Sequence, residues 1–238
     1  MKSLLLMVLA GATTLLSSGM AHSSALVEFD DIGKIIHVSA RLIYTGPALT
    51  EEIAKAATGE IQRMWSENPT TVSVNSEKYK VDFNIQYLLA DRIKISDTES
   101  CGYNFITVLN KTDPGDRSYY EGLGSRNGVF YTSDALGTST TSAHEFGHGL
   151  MLDHNDGDQR NAEVPGIMFA RGTLVKSKFQ WDPKAQAGAA GGTINPIYRK
   201  VRTVDIQAIP FGSLDRSIIW GVFDSKLGCI GDGVAQKM

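Results

Sequence analysis

Apolar and polar positions recur along this chain with two periods. From Ile35 to Tyr44 (IIHVSARLIY), Val38, Ala40, Leu42 and Tyr44 fall on one face of an extended segment, which Gly46-Pro47 ends. The period then lengthens. Ile53, Ala57, Ile61, Met64 and Trp65 recur at helical spacing behind Thr50 as an N-cap, with Glu51 and Glu52 in the first turn, where negative charge suits the helix dipole. Such a stripe is core. Tyr79 to Leu89 alternates again, with Val81, Phe83, Ile85 and Tyr87 facing one way and Asp82, Asn84 and Gln86 the other. Phe105 to Leu109 and Val129 to Thr132 read as short strands. Between them Lys111 to Asn127, rich in Gly, Ser, Asp and Tyr, reads as a long surface loop. Ser139 to Leu152 reads as a helix and the Gly/Ala-rich stretch from Ala187 to Gly192 as flexible. Thr203 caps a short helix through Ile209, and Ser217 to Phe223 is a last apolar strand or packed tail. This order predicts an α+β domain.

The amino-terminal residues stand outside that pattern. Met1-Lys2, an apolar run from Leu4 to Leu16 and the small residues of Gly19-Met20-Ala21 predict a signal peptide over residues 1–21, with Ser23-Ser24-Ala25 as a second possible cleavage point. Residues 22–238 are then expected to form a single domain with a tail from about 211, secreted or periplasmic, with no membrane span. The formal net charge of −3 shows no basic excess of the kind that nucleic acid or a membrane surface would select. Cys101 and Cys229 could form one disulfide in an exported chain, or remain two separate buried thiols; the compartment favours the disulfide. Neither has a second Cys or a His at metal-ligand spacing.

Chemistry concentrates in residues 142–156, SAHEFGHGLMLDHND. Three of the chain's five histidines lie here. His144 and His148 are one helical turn apart on one face, so one metal ion can reach both. Glu145 points roughly 100° around the helix and misses the ligand set, so it can act as a general base on water at the open position. His154 follows six residues after His148, so the chain must leave the helix and turn back to present it. Three protein ligands with a fourth position open is the arrangement of a catalytic zinc, and hydrolysis is the natural reaction of a metal without redox chemistry.

HEFGHGLMLDH resembles the zinc-binding signature HExxHxxGxxH of the metzincin metallopeptidases, and its HEFGH and LDH portions look most like the matrixin branch. The resemblance is specific from Ser142 to Met168. It implies a twisted mixed β-sheet, an active-site helix, a Met-turn and a C-terminal helix. It assigns His144, His148 and His154 to zinc and Glu145 to the catalytic base, and Val164-Pro165-Gly166-Ile167-Met168 to the Met-turn, with Met168 as the apolar floor under the ligands. It also implies an edge strand that pairs with extended substrate, for which Val129 to Thr132 is the candidate, and a pocket lined by the segment from Met168 to Pro196. The chain is similar, too, to small bacterial secreted or toxin-associated metzincin-like proteins. The expected activity is that of a secreted zinc endopeptidase acting on protein or peptide substrates. The alternative is a metzincin-like binding or toxin-associated module with little or no proteolysis, or a hydrolase of some other bond.

Two positions depart from the signature. Met151 stands where the family has a Gly that takes positive φ, so either Met151 adopts that conformation or the helix ends differently. Ala170 stands where some branches place a zinc-binding Tyr, and argues against those branches. Gly149, inside the expected helix, points to close packing there. Asn155, Asp156 and Asp158 could supply oxygens to calcium, although such a run is more often a solvated turn. His37, in a strand, reads as a structural histidine. With no cysteine switch ahead of the first strand, the enzyme is expected to be active once exported or to be held by a separate inhibitor.

Overall fold

The computed structural model describes residues 23–94, 102–214, 218–219 and 226–231. The expected signal peptide over 1–21 and Cys101 lie outside these residues, so the expected disulfide does too. No described helix is long and apolar enough to cross a membrane.

Among the described residues the fold is mixed α and β: nine strands in one curled mixed sheet, with three α-helices. The strands are β1 (Ser23–Asp30), β2 (Ile35–Thr45), β3 (Thr70–Val74), β4 (Glu77–Leu89), β5 (Tyr103–Leu109), β6 (Tyr119–Tyr120), β7 (Asn127–Tyr131), β8 (Ile218–Ile219) and β9 (Lys226–Gly231). The helices are α1 (Glu51–Ser66), α2 (Thr141–Gly149) and α3 (Thr203–Gln207).

β2 is the hub. It runs parallel to β4 along one side, and its other side is shared between β1, antiparallel beside residues 35–39, and β5, parallel beside residues 41–45. Beyond β5 lies β7, parallel, and then β6, antiparallel, at the rim. Beyond β1 lies β9, with β8 after it. Ile36, Val38, Ala40, Leu42 and Tyr44 of β2 are buried, as the alternation requires, and α1 lays Ala54, Ala57, Ile61, Met64 and Trp65 on the same core. Thr50 caps α1, its Oγ1 accepting the N–H of Ile53 at 3.3 Å.

Several expectations need correction. The stretch from Lys111 to Asn127 is not wholly a surface loop, because β6 lies within it and Tyr120 is buried. Val129 to Thr132 is not the rim of the sheet, since β7 is paired by β5 on one side and by β6 on the other. The residues from 211 onward are not simply a tail, because β9 zips along β1 from Ser23 to Phe29. β1 and β3 add two strands to those expected, and both do alternate: Ala25, Val27 and Phe29 are buried in β1, and Val72 and Val74 in β3. α2 is shorter than the periodicity suggests, and α3 is preceded by Arg202, whose N–H donates to the Asp205 carboxylate at 2.8 Å. The Gly/Ala-rich stretch forms turns closed by main-chain bonds, Gly192 N–H to Ala189 O at 2.8 Å and Gly188 N–H to Gly192 O at 3.1 Å.

Candidate metal centre

α2 carries the first two histidines, and its position is set by groups remote in sequence. Thr140, its N-cap, has φ 66°, a left-handed conformation that a β-branched residue rarely adopts. Contacts hold it there. The Thr140 N–H donates to the Glu60 carboxylate at 3.1 Å, and its Oγ1 donates to Pro196 O at 2.6 Å. Glu60 reaches across from α1 and also accepts the Ala143 N–H at 3.4 Å, so a side chain of one helix satisfies the free donors of the other. Burial pushes the Glu60 carboxyl up, against the backbone N–H groups that favour its charge. Trp65 adds its indole N–H to Ala143 O at 3.1 Å and packs edge-on against Phe146.

The other end of α2 answers the question posed by Met151. Its φ is 70°, so a non-glycine residue does adopt the left-handed turn. The N–H of Leu152 reaches back to Gly147 O at 3.0 Å and that of Met151 to His148 O at 3.0 Å, which is the hydrogen-bond pattern of a left-handed C-cap. His148 O also accepts from Gly124 N–H at 2.8 Å, and Gly149 O from the Ser24 hydroxyl. Gly149 packs closely, as expected: a Cβ there would lie 3.1 Å from the Tyr120 ring.

That turn brings His154 back to the other two histidines. Nε2 of His154 lies 3.1 Å from Nε2 of His144 and 3.1 Å from Nε2 of His148. The ligand atoms of all three residues fall within 4.8 Å of one another, close enough to hold one metal ion. The hydrogen bonds at the opposite ring positions fix what these nitrogens present. His144 Nδ1 faces Ile167 O at 2.6 Å and His148 Nδ1 faces Leu152 O at 2.8 Å. A carbonyl can only accept, so both Nδ1 atoms carry the proton and both Nε2 atoms present lone pairs. Lone pairs converging on one point repel unless a proton or a cation lies between them. His154 can donate one N–H, to one of the two. A tetrahedral ion with nitrogen ligands at about 2.1 Å would set them about 3.4 Å apart, close to the spacing here. Carbonyls behind metal-ligating imidazoles are the usual orienting partners. Burial, together with the positive charge of Arg199, keeps His144 well below its ordinary pKa and so neutral; burial lowers His148 as well.

Met168 is buried, and its Sδ sits under Gly147, between the two helical histidines, where a Cβ would collide with it. Ile167, its neighbour, supplies the carbonyl to His144. Asn155 N–H to Met168 O, at 2.9 Å, ties the segment after His154 to the same turn. Glu145 lies beside the histidines, and burial pushes its carboxyl up to about 8, while the Tyr120 N–H of β6 favours the charged form. A cleft of about 430 Å³ opens at His154, lined by Met151, Asn155, Gln159, Met168 and Arg202 among others.

The structure thus brings together His144, His148, His154, Glu145 and Met168. It does not assemble a calcium site from the residues that follow: Asp158 is taken up by Arg160 at 2.5 Å, which lowers its carboxyl to about 2. His37 lies 3.4 Å from Asp82 on the sheet, away from the site. Glu60, Asp134 and Arg199 escaped the sequence reading. Glu60 did leave a signal, since it falls three residues after Ala57 and four before Met64, a charge on an apolar stripe. Asp134 is buried, accepting from the Ser118 N–H and hydroxyl, both at 2.8 Å, and pairing with Arg171 at 2.8 Å. No protein-family model matches the chain, and no curated protein matches it either.

Proposed function

We propose that this protein is a zinc-dependent endopeptidase of the metzincin type, closest to the matrixin branch, acting outside the cytoplasm on protein or peptide substrates. The observation that carries this reading is the convergence of two Nδ1-protonated imidazoles and His154 on one point, with a buried carboxyl next to them and a methionine beneath. A structural zinc has no need of Glu145 and would usually take a fourth protein ligand.

His144, His148 and His154 would hold the ion, and Ile167 O and Leu152 O orient two of the rings. When bound, zinc supplies Lewis acidity, which polarises a carbonyl and lowers the pKa of water. Glu145 is the proton carrier. A carboxyl that exchanges its proton near neutrality can take one from water in the first half of the reaction and return it to the leaving amine in the second. Its link to Tyr120 N–H places it beside β6, and β6, the outermost described strand on that side, is the strand to which an extended substrate would add.

The test is cleavage of denatured protein or a quenched peptide library by wild type, by Glu145→Ala and by wild type with a chelator, with zinc content measured in parallel. Wild type is expected to cleave and the chelator to abolish cleavage. Glu145→Ala is expected to keep its zinc and lose about 10²–10⁴-fold in rate. Stoichiometric zinc with no cleavage of any substrate would instead favour a binding module on the same fold.

A further inference from the structure

Arg199 carries a buried guanidinium with no hydrogen-bonded partner among the described residues. The residue is 2% exposed, and its Nε is enclosed without an acceptor. Its neighbours differ. Arg171 has Asp134 at 2.8 Å, and Arg202 has Asp205 at 2.9 Å. The two carboxylates whose charge acts on Arg199, Glu145 and Glu60, make no hydrogen bond to it, and Glu60 accepts the N–H groups of Thr140 and Ala143 instead. Burial draws the Arg199 pKa down to about 10, which leaves it charged at neutral pH.

Its backbone is pinned at the site. The N–H of Arg199 donates to Pro196 O at 3.0 Å, and that same carbonyl accepts from Thr140 at the start of α2. The next N–H, of Lys200, donates to Pro165 O at 2.9 Å, in the stretch that leads to Met168. Arg199 therefore sits between the first turn of the active-site helix and the turn beneath the histidines, and its charge is felt by Glu145, His144 and His148. The charges of Glu145 and Glu60 favour the guanidinium from nearby, but a buried cation whose N–H groups meet no acceptor is still costly. Groups left unpaired in this way mark places where a ligand completes the set.

We propose that Arg199 is a specificity-determining residue that receives a carboxylate of the substrate next to the bond being cleaved, an assignment that rests on the peptidase reading above. A guanidinium offers parallel N–H donors in a fork that matches a carboxylate. Two sources share this chemistry: the side chain of an Asp or Glu beside the scissile bond, and the free carboxylate of a peptide's own C-terminus.

Paired peptides test it. One pair carries Glu or Gln after the cleaved bond in an amidated peptide; the other carries Leu there and ends in a free acid or an amide. Wild type is expected to show a KM about tenfold lower for the acid member of one pair, and that pair identifies the source. Arg199→Gln brings the ratio to about one, and Arg199→Lys retains part of it. The same peptides are titrated by calorimetry into zinc-loaded Glu145→Ala, which needs no turnover. An acid preference in binding that Arg199→Gln removes, when wild type cleaves none of these peptides, sinks the peptidase reading and keeps Arg199 only as the residue that binds a peptide carboxylate. Equal KM and equal affinity for both members of both pairs in the protein with Arg199 intact overturns it, and that comparison decides the matter even if Arg199→Gln fails to fold.

Discussion

α1 and α2 pack against each other, yet they are specified in opposite ways. α1 carries its own instructions: a Thr50 cap, acidic residues in its first turn and a stripe of buried residues over 16 positions. α2 has nine residues, no side-chain cap of its own and left-handed residues at both boundaries, Thr140 and Met151. Its ends are completed by Glu60, Pro196, Gly124 and Ser24, up to 125 positions away. A short helix needs tertiary support, and this one draws it from four separate segments. Backbone strain held in place by surrounding contacts is typical of functional sites. Here it lets nine residues and one turn aim three imidazoles at a point.

The largest break in that comparison comes from exchanging caps. Glu60→Ala leaves two buried N–H groups at the start of α2 without acceptors and should lower stability by about 2 kcal/mol, with weaker retention of a metal ion. Thr50→Ala should cost about 1 kcal/mol and leave metal binding unchanged. Urea unfolding and metal titration of the two variants separate them. Equal effects on metal binding would mean that α1 and α2 are not supported differently. Next come two glycines. Gly59 lies in α1 with nothing within 4 Å of a new Cβ, so Gly59→Ala should stabilise by about 1 kcal/mol. At Gly147 the Cβ meets Met168 Sδ and a Trp65 ring atom at 3.3 Å, and the same change should destabilise by about 1–3 kcal/mol. Thermal melts read the sign directly.

Met151 sharpens the picture at a smaller scale. Met151→Ala and Met151→Gly both remove the side chain, but only Gly is free of the left-handed penalty, so the Gly variant should be the more stable by about 1 kcal/mol. The smallest effect is one of pH. Burial opposes the charge of Asp134, yet the Ser118 donors and Arg171 hold its pKa below the ordinary 3.8. A depressed carboxyl stabilises the fold fully above its unfolded value, and that contribution falls away as pH drops through the folded one. Asp134→Asn should therefore lose its disadvantage against wild type as pH falls below about 4, a convergence that melts at stepped pH would reveal.

The contrast also accounts for what could be read in advance. Residues whose roles follow from local period were legible: the faces of β2 and β4, the stripe and cap of α1, and His144, His148, His154 and Glu145, whose spacing is itself the chemistry. Met151 was legible as a question, because a bulky residue stood at a turn that wants glycine. What escaped depends on partners far along the chain. β1 does alternate, with Ala25, Val27 and Phe29 buried, but the pattern is short and follows closely on the expected signal peptide, and β2 and β9 are what pair it. Tyr119–Tyr120 becomes a strand because β7 has an open side, and nothing in YY announces that. Arg199 is one of three basic residues in YRKVR, and only its burial singles it out.

Ser24 ties the centre to the order in which the chain is made. Its hydroxyl meets Gly149 O at the end of α2 and also lies 3.3 Å from Ile230 O in β9, 206 positions later. Strand pairings of such separation are slow to form, because the closure entropy of the whole chain precedes the reward. The three histidines are separated by only ten positions. The floor on which their helix rests is finished only when nearly the last described residue has been synthesised and has docked. A nascent chain, or one cut before Ile230, therefore holds the three histidines without this support for the end of their helix.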